Sequence, residues 1–465
     1  MAKYNAIALF TCLCLCVTIC WADNQTTILT GQAAFGDYHN DAPGVRRKIT
    51  PADLPAPSED RSNRSSIAPR PEGALPKVPP GFVVEHLASL SFPRLLRTAP
   101  NGDVFVSEGN RQKITILRRN DSSGQVTNFT YATAENGINM PFGIAFHPPG
   151  DTPTHVYIAN QESIIRFNYS NGDTAAVGQA EVVVTGIPGR GHWTRDIAFS
   201  KDGQAMFVAV GSLSNAQERP QDNETDRAMV LKFNVDGTGK TQFATGIRNP
   251  VTIAFHPDTN VLWTSVNERD RLGDNLVPDY ITRVNENEFY GWPWYYIGNN
   301  TDPRHAGKIP ANVSTVSIPD VLIQAHSASL QMTFYTGSSF PAEYKNDIFA
   351  AQHGSWNRQS RTGYKVIRVL EENGVPNGIY EDFMTSFVTD AGEVWGRPVG
   401  VTVAKDGSLW VSDDGSNSVW RVWYNRTVDD TTTTTGSPGG NAASHFGCHF
   451  VSMFILFAIA CWKCV

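Results

Sequence analysis

One short unit recurs along this chain and restricts its fold more than any other feature of the sequence. The unit is an apolar strand, an Asp-Gly, Asn-Gly or Pro-Asp turn, and a second apolar strand, which together form a strong hairpin signal. Its copies, one of them degenerate, lie at residues 93–107, 141–148, 194–199, 250–258, 332–351 and 398–407. A period of roughly 50 to 80 residues matches one four-stranded blade per copy, whereas a β-sandwich does not repeat one unit six times. The repeat therefore predicts an all-β fold, a six-bladed β-propeller with four-stranded blades.

The two ends of the chain carry the patterns of processing signals. The first 22 residues hold Lys3, a short apolar run and a closing Cys-Trp-Ala, which predicts a secretory signal peptide. Small polar residues, a spacer and an apolar tail end the chain, in the order of a GPI-attachment signal; a membrane helix is the alternative, but the tail is short for a span. The expected organisation is a signal peptide at 1–22, a partly irregular N-terminal arm at 23–77, the propeller domain at 78–426, a Thr/Gly/Ser linker with the attachment region at 427–441, and a removed GPI signal at 442–465.

Cysteine content and charge exclude several classes of function. All seven cysteines lie in the two end segments, so we expect a mature chain without disulfides, thiolate catalysis, Cys-ligated zinc or c-type haem. The net charge is −7, and loss of both ends removes Lys3 and Lys463 but no acid, which leaves −9. That charge argues against nucleic acid or an anionic membrane surface as a partner, so we expect membrane association only through the lipid anchor.

Glycosylation motifs agree with an extracellular location. Nine Asn-x-Ser/Thr sequons, together with the signal peptide, predict a secreted glycoprotein on the outer face of the plasma membrane. The sequons start at Asn24, Asn63, Asn120, Asn128, Asn168, Asn223, Asn299, Asn312 and Asn425.

Basic and imidazole side chains stand at the start of most repeats. In a propeller the loops that precede the first strands gather on one face, around the central channel. The residues at these positions are Arg94, His192, Arg248, Asn249, His353 and Arg397. Their convergence predicts a pocket for an anionic ligand, in which His192 would act as general base. The alternatives are a surface-loop histidine, and arginines that anchor loops to carbonyl groups or pair with neighbouring acids.

Two further features bear on metal binding and on the scaffold. Residues 267–275 form an acidic loop that can offer oxygens to Ca²⁺ but lacks the bidentate Glu that closes an EF-hand. His147 and His256 both stand in an Ala-Phe-His-Pro segment, and repetition in two blades indicates a structural role.

Several motifs, taken in order, resemble the pyrroloquinoline-quinone (PQQ)-dependent sugar dehydrogenases. The likeness is greatest to the L-sorbosone dehydrogenase and fungal pyranose dehydrogenase branch, and the bacterial soluble glucose dehydrogenases are more distant. It covers most of the mature chain. The motifs are Gly-His-Trp-Thr-Arg at 191–195, Gly-Ile-Arg-Asn-Pro at 246–250, Val-Asn-Glu-Arg-Asp at 266–270, the segment 333–344, His-Gly-Ser-Trp-Asn at 353–357 and Gly-Arg-Pro-Val-Gly at 396–400.

The resemblance implies a role for each candidate residue. His192 falls on the family's catalytic base, and Arg248 and Asn249 fall on its quinone-contacting pair. Arg397, Arg94 and His353 fall at cofactor contacts, although the bacterial enzymes carry a Lys near the position of His353. Glu268 and Arg269 fall where backbone carbonyls hold Ca²⁺, in place of the Gly-Pro of the bacterial enzymes.

Three functions follow as hypotheses from these observations. The first is an extracellular sugar oxidoreductase that oxidises the anomeric carbon of an aldose or osone, with PQQ and Ca²⁺ as cofactors and an external electron acceptor as partner. The second is a non-catalytic, ligand-binding propeller on the cell surface, because a fold does not determine a function. The third is a calcium-dependent hydrolase of the lactonase kind, which would need acidic and Asn side chains at the channel.

Overall fold

β-strands make up nearly all of the regular secondary structure in the described part of the chain. The computed structural model describes residues 27–59, 62–64, 66–311, 313 and 315–425. The predicted signal peptide, the linker with its attachment region and the GPI signal lie outside these residues. Within them there is no α-helix, only short 3₁₀-helices at Gly31–Phe35, Tyr38–Asn40, Pro51–Asp53, Gly109–Arg111, Ala134–Asn136, Pro303–His305 and Ala342–Tyr344. None of the described helices has the length and apolar character required to cross a membrane.

The strands follow one another along the chain with turns, loops and short 3₁₀-helices between them. In chain order they are β1 (Ile28–Leu29), β2 (Arg46–Lys48), β3 (Phe82–Ser89), β4 (Leu96–Thr98), β5 (Val104–Glu108), β6 (Lys113–Arg119), β7 (Val126–Thr133), β8 (Ile144–His147), β9 (His155–Ala159), β10 (Ser163–Asn168), β11 (Glu181–Thr185), β12 (Ile197–Phe199), β13 (Ala205–Val210), β14 (Met229–Asn234), β15 (Thr241–Thr245), β16 (Pro250–Phe255), β17 (Leu262–Val266), β18 (Asp279–Val284), β19 (Tyr295–Tyr296), β20 (Asn300–Thr301), β21 (Val321–Ile323), β22 (Ser329–Phe334), β23 (Ile348–Gln352), β24 (Lys365–Glu372), β25 (Val375–Met384), β26 (Pro398–Val403), β27 (Leu409–Asp413) and β28 (Ser418–Tyr424).

These strands form six blades of four antiparallel strands, which confirms the predicted six-bladed β-propeller. The blades are β4–β7, β8–β11, β12–β15, β16–β18 with β21, β22–β25, and β26–β28 with β3; β19 and β20 form a separate hairpin. The last blade is closed by β3, which precedes all other blade strands and pairs with β28 along residues 82–89. One blade therefore takes strands from both ends of the propeller, which joins the first and last parts of the ring.

The repeated hairpins arise from local turn chemistry. In the third blade, β12 and β13 pair with Ile197 opposite Val208, on either side of an Asp-Gly turn. Asp202 accepts a hydrogen bond from the backbone N–H of Gln204 at 3.0 Å, and Gly203 has a φ of 70°, which favours glycine. The second strands, such as β5 and β17, are buried at every position because neighbouring blades cover both of their faces. The polar residues near the ends of these strands, such as Ser107 and Ser265, are therefore buried as well.

The N-terminal arm adds two strands to the edge of the fifth blade. β2 pairs antiparallel with β25, and β1 pairs with β2, so that this sheet has six strands. Arg47, fully buried, binds Asp382 at 2.7 Å and Asp41 at 3.0 Å, and Lys365 contacts the same two carboxylates at 2.8 and 2.7 Å. Since a buried charge is stable only when it is paired, this four-residue network holds the arm on the blade.

Candidate active site

His192 is presented by the loop that precedes the third blade. Gly191 has a φ of 61°, and a Cβ at this position would lie 2.5 Å from the Cα of Leu213, so only glycine allows the loop to approach so closely. The backbone N–H of His192 donates to the carbonyl oxygen of Ser212 at 3.0 Å, and its Nδ1 lies 2.9 Å from the same oxygen. Because a carbonyl only accepts, Nδ1 carries the proton and Nε2 keeps a free lone pair.

The electrostatic surroundings keep this imidazole neutral. Burial, together with the charge of Arg248, lowers the pKa of His192 to about 3, and the hydrogen bond from Nδ1 to Ser212 opposes the shift only in part. The side chain of Arg195 braces the loop from behind, donating to the carbonyl oxygens of His192 at 2.7 Å and Thr194 at 2.6 Å. Arg195 is thus a positioning residue. It is the last residue of the motif at 191–195, but the sequence alone did not indicate this role.

Asn249 lies directly beside His192. A Cβ built on Gly211 would lie 2.4 Å from Oδ1 of Asn249 and 2.6 Å from Cβ of His192, so these two atoms are at most about 5 Å apart. Oδ1 of Asn249 is buried and has no hydrogen-bond partner among the described residues. A buried acceptor of this kind is costly unless a ligand supplies a donor, which suits the predicted contact of Asn249 with a cofactor.

Arg248 is buried and is held by the loop of the fourth blade. Its Nη1 donates to the carbonyl oxygens of Glu268 at 2.6 Å and Asn267 at 3.3 Å, and its Nη2 lies 3.7 Å from Asp270. Its Nε and Nη2 bind Asn215 at 2.9 and 3.0 Å. These contacts fix the position of the guanidinium. Its positive charge is therefore preorganised, and the side chain does not have to move before it interacts with a neighbouring group.

Asp270 joins this loop to the fifth blade. It accepts a hydrogen bond from Nδ2 of Asn357 at 2.7 Å and lies 3.4 Å from Nδ1 of His326. Burial works to raise its pKa, but the hydrogen bond with His326 and the charge of Arg248 lower it to about 2. Asp270 therefore remains a carboxylate at neutral pH and partly balances Arg248.

A second carboxylate, Asp414, joins the other predicted site residues. Its two oxygens lie 2.5 Å from Nη1 of Arg94 and 2.8 Å from Nε2 of His353. Burial would raise its pKa, yet the charges of His353 and Arg94 hold the pKa well below its usual range. Burial lowers the pKa of His353 to about 4 in spite of this neighbouring carboxylate. Arg397 contacts the same loop through the carbonyl oxygens of His353 at 3.0 Å and Gly354 at 3.1 Å.

Contacts connect these groups into one cluster. Arg94 lies 5.7 Å from the ring centre of Trp193, the neighbour of His192, and Asp270 reaches the loop of His353 through Asn357. The structure thus brings together the predicted residues His192, Arg248 and Asn249 on one side and Arg94, His353 and Arg397 on the other. Sequence reasoning placed Asp270 in the acidic loop without giving it a role of its own, and it missed Asp414, whose only signal was its position directly after a strand.

Glu268 and Arg269 belong to the loop that holds Arg248, and both side chains are buried. Burial raises the pKa of Glu268 to about 7, against the charge of Arg248, and its carboxylate accepts from the N–H of Arg269 at 2.9 Å. Arg269 is 1% exposed and faces Asp302 at 3.3 Å. Within the described ranges, no group of three or more His, Cys, Asp or Glu side chains could hold a metal ion. A cation at this turn would therefore depend on backbone carbonyls.

The fold and this cluster define a six-bladed propeller with a cationic, imidazole-containing site built from the loops between blades. The sequence model of the TrAA12-like family matches residues 76–288 and 310–425, and the chain belongs to this family. The resemblance inferred from the motifs is thereby confirmed.

Three relatives illustrate the range of similarity. An uncharacterized protein of Borreliella burgdorferi is 29% identical over 360 residues, which cover 75% of this chain and 91% of the relative. The pyrroloquinoline quinone-dependent pyranose dehydrogenase of Coprinopsis cinerea is 25% identical over 420 residues, and the match covers 76% of this chain but only 55% of that protein. The solved holo form of the PQQ domain of pyranose dehydrogenase from Coprinopsis cinerea has a TM-score of 0.62 at 21% identity, covering 78% of this chain and 100% of that domain, and supports the fold.

Proposed function

We propose that this protein is a quinoprotein sugar dehydrogenase that uses PQQ to oxidise the anomeric carbon of an aldose or osone. The observation that carries the proposal is a neutral His192, with its proton on Nδ1 and a free lone pair on Nε2, beside a buried Arg248. A neutral imidazole can accept the proton of a sugar hydroxyl at Nε2, whereas the protonated form cannot. Family membership and the PQQ-dependent relative support the same activity.

The residues present fit a quinone that carries carboxylates. Arg94 and Arg397 supply positive charge on one side of the cluster, and Arg397 is paired only with carbonyl oxygens and not with a carboxylate among the described residues. The buried Oδ1 of Asn249 lacks a donor and would accept from an N–H or O–H of the ligand. Arg248, Asn249, Arg94, His353 and Arg397 would hold the quinone, which supplies a two-electron acceptor for the hydride from C1 when it is bound.

Calcium would rest on the turn of Glu268 and Arg269. The carbonyl oxygens of Asn267 and Glu268 converge on one nitrogen of Arg248, at 3.3 and 2.6 Å. Both oxygens already accept from Arg248, so Ca²⁺ at this turn would share the carbonyl of Glu268 with that guanidinium and take the carbonyl of Arg269 as a further oxygen ligand. The acidic Asp270 nearby adds favourable charge.

The protein's own groups account for the proton and charge changes of the reaction. His192 accepts the proton of the anomeric hydroxyl at Nε2 as the sugar loses the hydride, so that an aldose leaves as its lactone. Arg248 stabilises negative charge that develops on oxygen near it, because a preorganised cation in a buried site interacts strongly. Arg195 keeps the loop of His192 in position during this transfer.

The location and the partners of the enzyme belong to the same proposal. We propose a secreted glycoprotein, held at the outer face of the plasma membrane by a lipid anchor, that passes its electrons to an external acceptor. The sequence patterns at both ends support it, and five sequon asparagines are exposed and accessible to modification: Asn120, Asn128, Asn168, Asn223 and Asn299.

A titration of the purified apo-protein tests the activity. PQQ and Ca²⁺ are added in steps, and quinone binding is followed by its absorbance, then by bleaching of a redox dye on addition of sugar. We expect stoichiometric binding and sugar-dependent bleaching. Failure to bind the quinone would reject the proposal in favour of a non-catalytic cell-surface propeller.

A further inference from the structure

A pocket of about 310 Å³ adjoins the candidate active site on the side of Arg397. Its lining comes from the N-terminal arm as well as from the propeller: Arg64, Ser355, Trp356, Tyr364 and Arg397. Arg397 lines this pocket and also binds the loop of His353, so a molecule in the pocket would lie next to the side of the cluster that contains His353 and Arg397.

The arm is fastened to the loop that forms the floor of the pocket. Oγ of Ser62 donates to the carbonyl oxygen of Trp356 at 3.0 Å, and Nδ2 of Asn63 donates to the carbonyl oxygen of Gln359 at 3.0 Å. These bonds place Arg64 over Trp356, with 5.1 Å between the guanidinium carbon and the ring centre. The arm therefore contributes a cation to the rim of the site.

The charge of the pocket is unbalanced. The two guanidinium groups lie against aromatic rings, since Arg397 is 5.9 Å from the ring centre of Tyr364. In the part of the chain that the structure describes, neither Arg64 nor Arg397 forms an ion pair, whereas Arg94 pairs with Asp414. Arg397 is held by two backbone carbonyls, whereas the guanidinium of Arg64 has, among the described residues, only the ring of Trp356 beside it and can pair with the carboxylate of a ligand.

The aromatic lining adds a surface that suits a sugar ring. Trp356 is 41% exposed, which is unusual for so large an apolar side chain in this protein. Arg64 covers one face of the Trp356 ring, and the remaining exposed part of the indole can pack against the C–H groups of a pyranose. Ring stacking and carboxylate binding are thus available within one pocket.

We propose that this pocket is a subsite for a sugar carboxylate, so that the preferred substrates are acidic sugars such as uronic acids. The inference rests on the proposed sugar oxidation, because it names the substrate class of that site. Arg64 would bind the carboxylate and Trp356 would support the ring, while Arg397, which would hold the quinone, forms the wall shared by the pocket and the cofactor site. Arg64 is exposed on the arm. A tightly held cofactor would occupy the buried side of the cluster, so we assign Arg64 to the substrate, which must enter and leave.

Isothermal titration calorimetry of the full chain tests the subsite directly. D-glucuronate and D-glucose are titrated into wild-type protein loaded with reduced PQQ, which cannot oxidise them, and into Arg64→Gln in the same form, a variant that keeps the Asn63 sequon. We expect wild-type protein to bind glucuronate at least 10-fold more tightly than glucose. Arg64→Gln should weaken glucuronate by about 10-fold and leave glucose unchanged, the loss expected for one charge-assisted hydrogen bond of about 1.4 kcal/mol.

Matched variants separate this role from others. Arg70→Gln removes a second arm arginine that also covers a tryptophan, at 5.4 Å from the ring centre of Trp420, but lies outside the pocket. It should leave both affinities unchanged, and Arg64→Lys should restore part of the glucuronate affinity. Equal glucuronate affinity in Arg64→Gln and wild type would overturn the subsite.

The affinity of Arg64→Gln for PQQ is measured as well, to learn whether Arg64 binds the cofactor instead of the substrate. Weaker PQQ binding by Arg64→Gln would show that Arg64 serves a cofactor carboxylate and would also overturn the proposal. Failure of the proposed function looks different, because then no sugar reduces the dye while the glucuronate affinities still report on the pocket. Oxidation of glucose without selective glucuronate binding would retain the function and reject the subsite.

Discussion

Nδ1 of His192 lies 2.9 Å from the backbone oxygen of Ser212, and this contact determines which ring nitrogen can act on a substrate. The proton is held on Nδ1, so Nε2 is the basic atom. The partner is a main-chain atom and therefore remains in place when side chains change. Ser212 belongs to the segment that follows β13, and the third blade itself thus orients its own entrance loop.

Replacement of His192 tests the role of the base. We expect His192→Ala to reduce turnover by about 10²–10⁴-fold, which is the contribution of general-base catalysis, with quinone affinity preserved. Single-turnover dye reduction at saturating PQQ measures the rate. His155→Ala, in the second blade, is the control and should react like wild type; a normal rate in His192→Ala would assign the base to another group.

The low pKa of His192 has a consequence for stability. Its pKa is about 3 in the folded protein, against about 6.5 when unfolded, so the unfolded state binds more protons between these values. Folding stability should therefore fall as the pH drops from about 6.5 toward 3. His192→Gln should lose less stability than wild type between pH 7 and 4.5, by on the order of 1–2 kcal/mol. Denaturant unfolding at both pH values checks this difference, and parallel losses would contradict it.

Gly211 is the contact point between His192 and Asn249. An added Cβ would meet both side chains at 2.6 and 2.4 Å, so Gly211→Ala must displace at least one of them. We expect kcat/KM to fall by about 10²-fold, because a shift of about 1 Å at reacting groups has effects of that size. Steady-state kinetics measure the loss, and circular dichroism should show an intact β-fold. Unchanged kinetics would mean that these two side chains do not act together.

Asp414 pairs with Arg94 and is hydrogen-bonded to the imidazole of His353. Asp414→Asn should lower the free energy of unfolding by about 3 kcal/mol, since it leaves a partly buried cation without its carboxylate. Asp121→Asn is the control, because Asp121 is 87% exposed and pairs only at 3.6 Å. Asp414→Asn should also change the affinity for PQQ, which absorbance titration measures. Equal unfolding curves for the two variants would show that the Asp414 network contributes little.

The buried network of the arm should control the stability of the whole fold. Arg47→Met removes a fully buried partner of Asp382 and should cost about 3–5 kcal/mol. Arg46→Met, whose side chain is 28% exposed, should cost less. Thermal unfolding compares the two, and limited proteolysis shows whether the arm is released first. A smaller effect of Arg47→Met than of Arg46→Met would contradict this account.

Much of the architecture could be predicted from local sequence. A hairpin forms from neighbouring residues, such as the turn at Gly203, and six copies of it indicate six blades. The order of the repeats also placed His192, Arg248 and Asn249 at blade entrances. The sequence therefore predicted which residues lie near the channel, but not which side chains they contact there.

Only the tertiary structure decided those partners. Arg94 meets Asp414 across 320 residues of sequence, Arg47 meets Asp382 across 335, and Arg64 reaches Trp356 from the arm. No local pattern encodes such pairs, because they depend on ring closure and on how blades pack side by side. The sequence by itself therefore determined the repeated strands and their turns, whereas the charge balance of the site and the cover contributed by the arm arise only when distant segments are brought together.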